Sequence, residues 1–208
     1  MTDSVLVAVR SRPLSNNERE KGAKDIIEVS DNGTLTLIAD ERNSPSTYNF
    51  DFVYGPSSGQ ADVYRDIGDP LIKRIMDGYN CTLFAYGQTG SGKTHTMMGS
   101  DTSEAFEDAA KNGIGAGIIP RLTADLLRRT NALMTENDDA GESKVDVHVT
   151  LSYLEIYMEE IHDLLNPGKG KLEIRESPDE IYVDKLCTLV IKENEEVGRL
   201  VQQGNAIR

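Results

Sequence analysis

The chain has 208 residues, 38% hydrophobic and 27% charged, a balance that supports a sizeable core and excludes disorder throughout. Its formal net charge of −13 argues against nucleic acid as the main partner, because no lysine or arginine stripe offers a basic face to a polyanion. No apolar run approaches the ~20 residues of a membrane-spanning helix, so no membrane partner is expected.

The first apolar run, Val5–Val9, is too short for a signal-peptide core, and the cytoplasm is the expected compartment. The run ends at RSRP, Arg10 to Pro13, as a buried strand entering a loop would. Ile26–Val29 and Thr34–Ile38 flank Asp31-Asn32-Gly33, a turn signal, and predict a hairpin. Tyr48–Tyr54 alternates aromatic and polar residues and reads as one further strand, closed by Gly55-Pro56.

Val63, Ile67, Leu71 and Ile75 recur every fourth residue, widened by Ile72 and Met76, and predict a helix from Gln60 to Asp77. Gly68 and Pro70 should kink or split it, and Gly78 suits its C-terminal cap. Cys81–Tyr86 (CTLFAY) then reads as a buried strand of a parallel sheet, and helix, strand, glycine loop, helix is an α/β order. The acidic stretches Asp101–Asp108 and Glu136–Glu142 read as solvated loops.

Ile118–Met134 is a second helix candidate, and Val145–Tyr153 alternates as a long strand with one apolar face. Leu172–Arg175 and Ile181–Val183 predict a hairpin. Glu195–Gln203 predicts a closing helix capped by Asn194. The two cysteines, Cys81 and Cys187, lie in apolar runs and are expected as buried free thiols; the three histidines have no ligand spacing. One domain is the expectation at this length.

The chemistry concentrates in FAYGQTGSGKTHTMMG, Phe84 to Gly99. Gly87, Gly92, Lys93 and Thr94 fit G-x-x-x-x-G-K-S/T, the phosphate-binding loop. Glycines let several backbone N–H groups point at one anion, where a Cβ would obstruct. A helix starting at Lys93 adds its positive end, Lys93 a mobile cation, and the Thr94 hydroxyl a ligand for Mg²⁺. The loop alone does not choose among kinases, GTPases, transporters and motors.

Its neighbours do. Gly78–Gly99, GYNCTLFAYGQTGSGKTHTMMG, resembles the phosphate-loop block of kinesin motor domains, G-Y-N-x-x-x-F-A-Y-G-Q-T-G-x-G-K-S/T-x-T-M. VRSRP (Val9–Pro13), YNFDFVYGP (Tyr48–Pro56), GIIPRL (Gly117–Leu122) and SYLEIYMEEIHDLLNP (Ser152–Pro167) resemble further blocks of that family, in the same order. Met158 stands where asparagine is usual, and the final EEVGRLVQQGNAIR is similar to the helix leading to the first switch.

The resemblance implies an α/β phosphate-loop NTPase fold with a mostly parallel central sheet flanked by helices, incomplete at its C-terminal side. It implies ATP and ADP with Mg²⁺, the phosphates on Gln88, Thr89, Gly90, Ser91, Gly92, Lys93 and Thr94. The adenine would lie near Arg10, Arg12 and Pro13 and stack on His95, which offers a flat face. It also implies a microtubule partner in the cytoskeleton, and the hairpin near Lys169, Lys171 and Arg175 resembles the one part of this half that approaches tubulin. The family continues with N-x-x-S-S-R-S-H and D-L-A-G-S-E, which hold Mg²⁺ and sense the γ-phosphate; neither occurs here. No catalytic residue is therefore assigned, and Glu155 at a strand end reads as structural. The expected role is the ATP-binding part of a microtubule motor, with a non-motor nucleotide-binding or interaction module as the alternative.

Overall fold

The computed structural model describes residues 5–30, 32–38, 44–99, 102–110, 113–140, 146–178 and 180–207. It divides into two compact units, Met1–Thr96 and Met97–Arg208.

In chain order the first unit contains β1 (Ala8–Arg10), α1 (Asn16–Glu20), β2 (Ile27–Ser30), β3 (Thr34–Leu37), β4 (Ser46–Asn49) and β5 (Phe52–Tyr54). There follow α2 (Gln60–Val63), a π-helical turn (Tyr64–Gly68), α3 (Asp69–Met76) and the start of α4 (Lys93–Met98). β1 runs parallel to β5, with Arg10 opposite Tyr54. β2, β3 and β4 form an antiparallel meander whose first turn is the expected hairpin at Asn32-Gly33.

Tyr48–Tyr54 is two strands rather than one. The break at Phe50-Asp51 lets the Phe50 N–H bond the Gly33 carbonyl at 2.9 Å, and lets Asp51 accept from the Val7 N–H at 2.8 Å. The segment thus leaves one sheet and joins another. The expected kink between Gln60 and Asp77 takes the form of the π-helical turn, with Pro70 in the first turn of α3, where its missing N–H costs nothing. α3 closes in a Schellman arrangement: Tyr79 N–H bonds Arg74 O and Gly78 N–H bonds Ile75 O, both at 3.0 Å.

Two expectations of buried strands are corrected in this unit. Of Val5–Val9 only Ala8 and Val9 join β1, and Val5 is 80% exposed. Cys81–Tyr86 forms no strand and pairs with none among the described residues; Phe84 is 74% and Tyr86 96% exposed. A parallel strand is buried when it lies in a sheet whose two faces are covered, and this run joins no sheet among the described residues. For the same reason Cys81 is half-buried instead of buried; Cys187 is half-buried too, and both thiols are free.

The second unit holds α5 (Thr102–Ala110), α6 (Ile118–Ala140), β6 (Val149–Leu151), β7 (Leu154–Tyr157) and β8 (Glu160–Asp163). A 3₁₀ turn (Pro167–Lys169) leads to β9 (Lys171–Leu172), β10 (Ile174–Glu176), β11 (Ile181–Val183), β12 (Leu189–Ile191) and α7 (Asn194–Ile207). Its core joins Phe106 of α5, Leu127 of α6, Ile191 of β12, and Val197 and Val201 of α7. Buried Asp163 fastens the far end of β8: Oδ1 accepts from the Leu165 and Asn166 N–H groups, and Oδ2 from that of Cys187.

Here too the sequence reading needs correction. Asp101–Asp108 is not a solvated loop: residues 102–108 lie in α5, because Ala105, Phe106 and Ala109 bury one side of that acidic stretch. The helix read as Ile118–Met134 continues to Ala140 and takes in much of Glu136–Glu142; residues 141 and 142 lie outside the described residues. The long strand expected over Val145–Tyr153 shrinks to β6, which among the described residues pairs only with β12; Val145 lies outside the described residues. A hairpin forms where Leu172–Arg175 and Ile181–Val183 predicted one, but its first strand is β10 (Ile174–Glu176), and Leu172 instead belongs to β9 and pairs with Ile161 of β8. α7 is longer than read, and Asn194 is its first residue, with its amide turned away from capping to donate to the Phe106 carbonyl at 2.6 Å.

The mostly parallel central sheet is therefore replaced, among the described residues, by five small sheets of which only β1–β5 is parallel. Mixed α/β composition stands. The continuous sheet does not, because its would-be central run, Cys81–Tyr86, lacks bonded neighbours. No helix among the described residues is long and apolar enough to cross a membrane.

Candidate functional site

The phosphate loop runs from Gly87 to the first turn of α4. Gly92 sits at φ +98°, a left-handed conformation that a side chain strains, and it delivers the chain into the helix with Thr96 N–H bonded to its carbonyl at 2.9 Å. At Gly87, where φ is +153°, a Cβ would stand 2.6 Å from the Ser91 hydroxyl oxygen, so a side chain there would be strained and would displace the serine. The Lys93 ammonium is curled into this loop, donating to the carbonyls of Gly87 at 2.7 Å and Gln88 at 2.9 Å. Gln88, Thr89, Gly90 and Thr94 are exposed, the Thr94 side chain standing at the start of α4.

Beside the loop lies an open cleft of about 150 Å³. Six of the expected residues line it together: Arg10, Arg12 and Pro13 from one segment, Ser91, Gly92 and His95 from the other. Gly87, Gln88, Thr89, Gly90, Lys93 and Thr94 belong to the same loop and helix start but not to the cleft lining. Pro56 and Ser58, from the loop after β5, complete one wall.

The two arginines differ in what holds them. Arg12 forms a bidentate pair with Glu18, at 2.7 and 2.6 Å. Glu18 also closes a capping box with Ser15 at the start of α1. The Arg12 guanidinium and the Ser15 donors hold the Glu18 carboxyl far below the usual carboxylate range. Arg10 is bound only by neutral acceptors: its Nη1 donates to Gln60 Oε1 at 2.8 Å and Thr96 Oγ1 at 3.1 Å, and its Nη2 to the Ser58 carbonyl at 3.2 Å. Burial lowers the Arg10 pKa. Burial, and then the positive charge of Arg10, also lowers that of His95, which keeps the imidazole neutral and its face available for stacking.

The sequence reading missed Gln60, which is 5% exposed and also donates from Nε2 to the His95 carbonyl at 2.6 Å. It missed Ser58 and Thr96 as well. No local pattern marks these residues, since Arg10 meets Thr96 across 86 positions of sequence.

The other candidates lie elsewhere. Glu155 is in β7, opposite His162 in the β7–β8 hairpin. The basic residues near β10–β11 are largely engaged: Lys169 with the Lys185 carbonyl, Lys171 with Glu160, and Arg175 with Asp184 and Glu173. Among the described residues no group of histidine, cysteine and acidic side chains could hold a metal ion. The Thr94 hydroxyl beside a curled glycine loop suits a cation that arrives with phosphate oxygens. The Lys93 ammonium and the exposed Thr94 hydroxyl have the donor chemistry that a Mg²⁺-bound phosphate group would need.

The family model described as the kinesin motor domain matches residues 10–208. The chain is 38% identical to kinesin-like protein KIF1A of Rattus norvegicus, over 99% of this chain and 12% of that protein. It is 36% identical to kinesin-like protein KIF1B of Homo sapiens, over 99% of this chain and 11% of that one. A solved structure titled as that of a fast kinesin superposes with a TM-score of 0.82 at 31% identity, over 98% of this chain and 52% of the other. The chain thus spans about an eighth of those curated relatives and 52% of the solved kinesin. Agreement of family model, sequence and fold across nearly every residue leaves one conclusion: the chain belongs to the kinesin motor domain family.

Proposed function

We propose that this chain is the nucleotide-holding part of a microtubule motor and takes ATP and ADP together with Mg²⁺. The observation that supports the reading is one cleft lined by Arg10–Pro13 and by Ser91, Gly92, His95 and Thr96, with the rest of the phosphate loop beside it. Gly87–Thr94 hold the phosphates through backbone N–H groups, and Lys93 leaves its loop carbonyls to meet the terminal phosphates. Thr94 supplies a hydroxyl to Mg²⁺. Pro13 and His95 offer flat faces to the base, and Arg10 a cation at its edge. Mg²⁺ held there by Thr94 and the phosphates would supply neutralisation of phosphate charge.

The sequence contains neither switch motif, so no residue in it is assigned to ordering the attacking water. Contact with microtubules is assigned mainly to the part of a kinesin motor domain that has no counterpart here. A −13 chain opposes binding to an acidic filament, and near β10–β11 Lys171 and Arg175 already pair with carboxylates. The same lack of switches suits a non-motor nucleotide-binding module. Reading the transcript beyond Arg208 separates the two: both switch motifs in frame favour the motor, and a stop codon the module.

Mg²⁺ dependence tests the ligand assignment. Chelating Mg²⁺ is expected to weaken ADP binding about tenfold or more, and Thr94→Val to reproduce most of that loss and to abolish the sensitivity to chelation. Mg²⁺-independent binding by the unaltered chain would contradict it.

A further inference from the structure

We propose that Gln60 is the positioning residue that sets Arg10 and the first turn of α4 in one register, so that a single nucleotide can engage base side and phosphate side together. The inference rests on the nucleotide-binding reading above. Gln60 is the first residue of α2 and is almost wholly buried. Its one amide uses both ends: Oε1 accepts from Arg10 at the end of β1, and Nε2 donates to the His95 carbonyl in α4. Three segments distant in sequence meet in that side chain.

Arg10 is the group that most needs such a partner. Among the described residues no carboxylate pairs with it, unlike Arg12, which Glu18 neutralises. With Nη1 shared between Gln60 and Thr96 and one Nη2 hydrogen given to Ser58, its Nε and remaining Nη2 hydrogens have no protein acceptor among those residues. A half-buried, uncompensated cation lining a cleft is suited to an electron-rich ligand group, and its aim is fixed by neutral acceptors of which Gln60 is the most buried. The donor to His95 fixes the backbone that carries the imidazole. Loss of the amide leaves the Arg10 guanidinium and the His95 carbonyl each short of a partner. The phosphate loop keeps its own bonds: Lys93 to Gly87 and Gln88, and Ser91 N–H to Gln88.

A pair of probes separates positioning from general stability. MgADP requires both sides of the site, whereas Mg-tripolyphosphate has no base and requires only the loop. In calorimetric titrations of the full chain, Gln60→Met is expected to weaken MgADP binding about tenfold while leaving Mg-tripolyphosphate within about twofold of the unaltered protein. Gln60→Glu loses the donor to His95, sets a carboxylate oxygen against that carbonyl and compensates the Arg10 charge, so it should cost MgADP at least as much as Gln60→Met and leave tripolyphosphate within about twofold. If Gln60→Met does not fold, judged by its melt, Gln60→Glu carries the test. Equal losses for both probes, or no loss of MgADP affinity in either variant, would overturn the proposal while leaving nucleotide binding intact. An unaltered chain that binds neither probe would overturn both readings.

Discussion

Arg10 and Arg12 sit two residues apart, line the same cleft and are held by opposite means. Arg12 is spent on Glu18 and thereby on the start of α1, while Arg10 keeps its charge and imposes it on His95. Burial, and after it that charge, lower the His95 pKa, with a measurable consequence. A His95 pKa below the ordinary value near ~6.5 means the unfolded chain binds more protons than the folded one in the window beneath that value. Stability contributed by His95 is therefore fully present above the window and lost as pH falls through it. The melting temperature should drop between about pH 7.5 and 5.5, and His95→Asn should flatten that drop; equal slopes would contradict the assignment. At this scale the phosphate loop was legible because G-x-x-x-x-G-K-T is a local pattern with a local cause. Gln60 was not, since its two partners lie 50 and 35 positions away and only the fold joins them.

Among the elements, those set by short-range chemistry were the readable ones. The β2–β3 hairpin follows from Asn32-Gly33, and the break between α2 and α3 from Gly68 and Pro70. α5 was hidden because its acidic residues outweigh, by eye, the few apolar residues that matter. Phe106 is wholly buried there, and the helix packs against α6 and α7. Phe106→Ala should cost about 3–5 kcal/mol in chemical denaturation, the usual loss for an aromatic core truncation. A cost under about 1 kcal/mol would return α5 to the surface. Cys81–Tyr86 fails in the other direction: an apolar run encodes the tendency to be a strand, but pairing is a property of its neighbours.

For the whole molecule, family membership rests on nearly every residue, but the chain matches only 52% of the solved kinesin. Exposed Phe84, Tyr86 and Val5 leave apolar surface uncovered on the first unit. The expected behaviour of the chain alone is self-association or a low, broad melt, checked by sedimentation and calorimetry; a soluble monomer with a sharp high-temperature transition would contradict this. Its ATP turnover should be negligible and unchanged by microtubules, because positioning of water and γ-phosphate provides most of phosphoryl-transfer catalysis and the sequence holds neither switch motif. The central claim is narrower than motility: this chain holds the nucleotide. It is tested most directly by calorimetric titration of MgADP into the unaltered chain and into Lys93→Ala. Saturable one-to-one binding that Lys93→Ala weakens about tenfold or more is the predicted result. Absence of binding to the folded chain, or binding indifferent to Lys93, would contradict it.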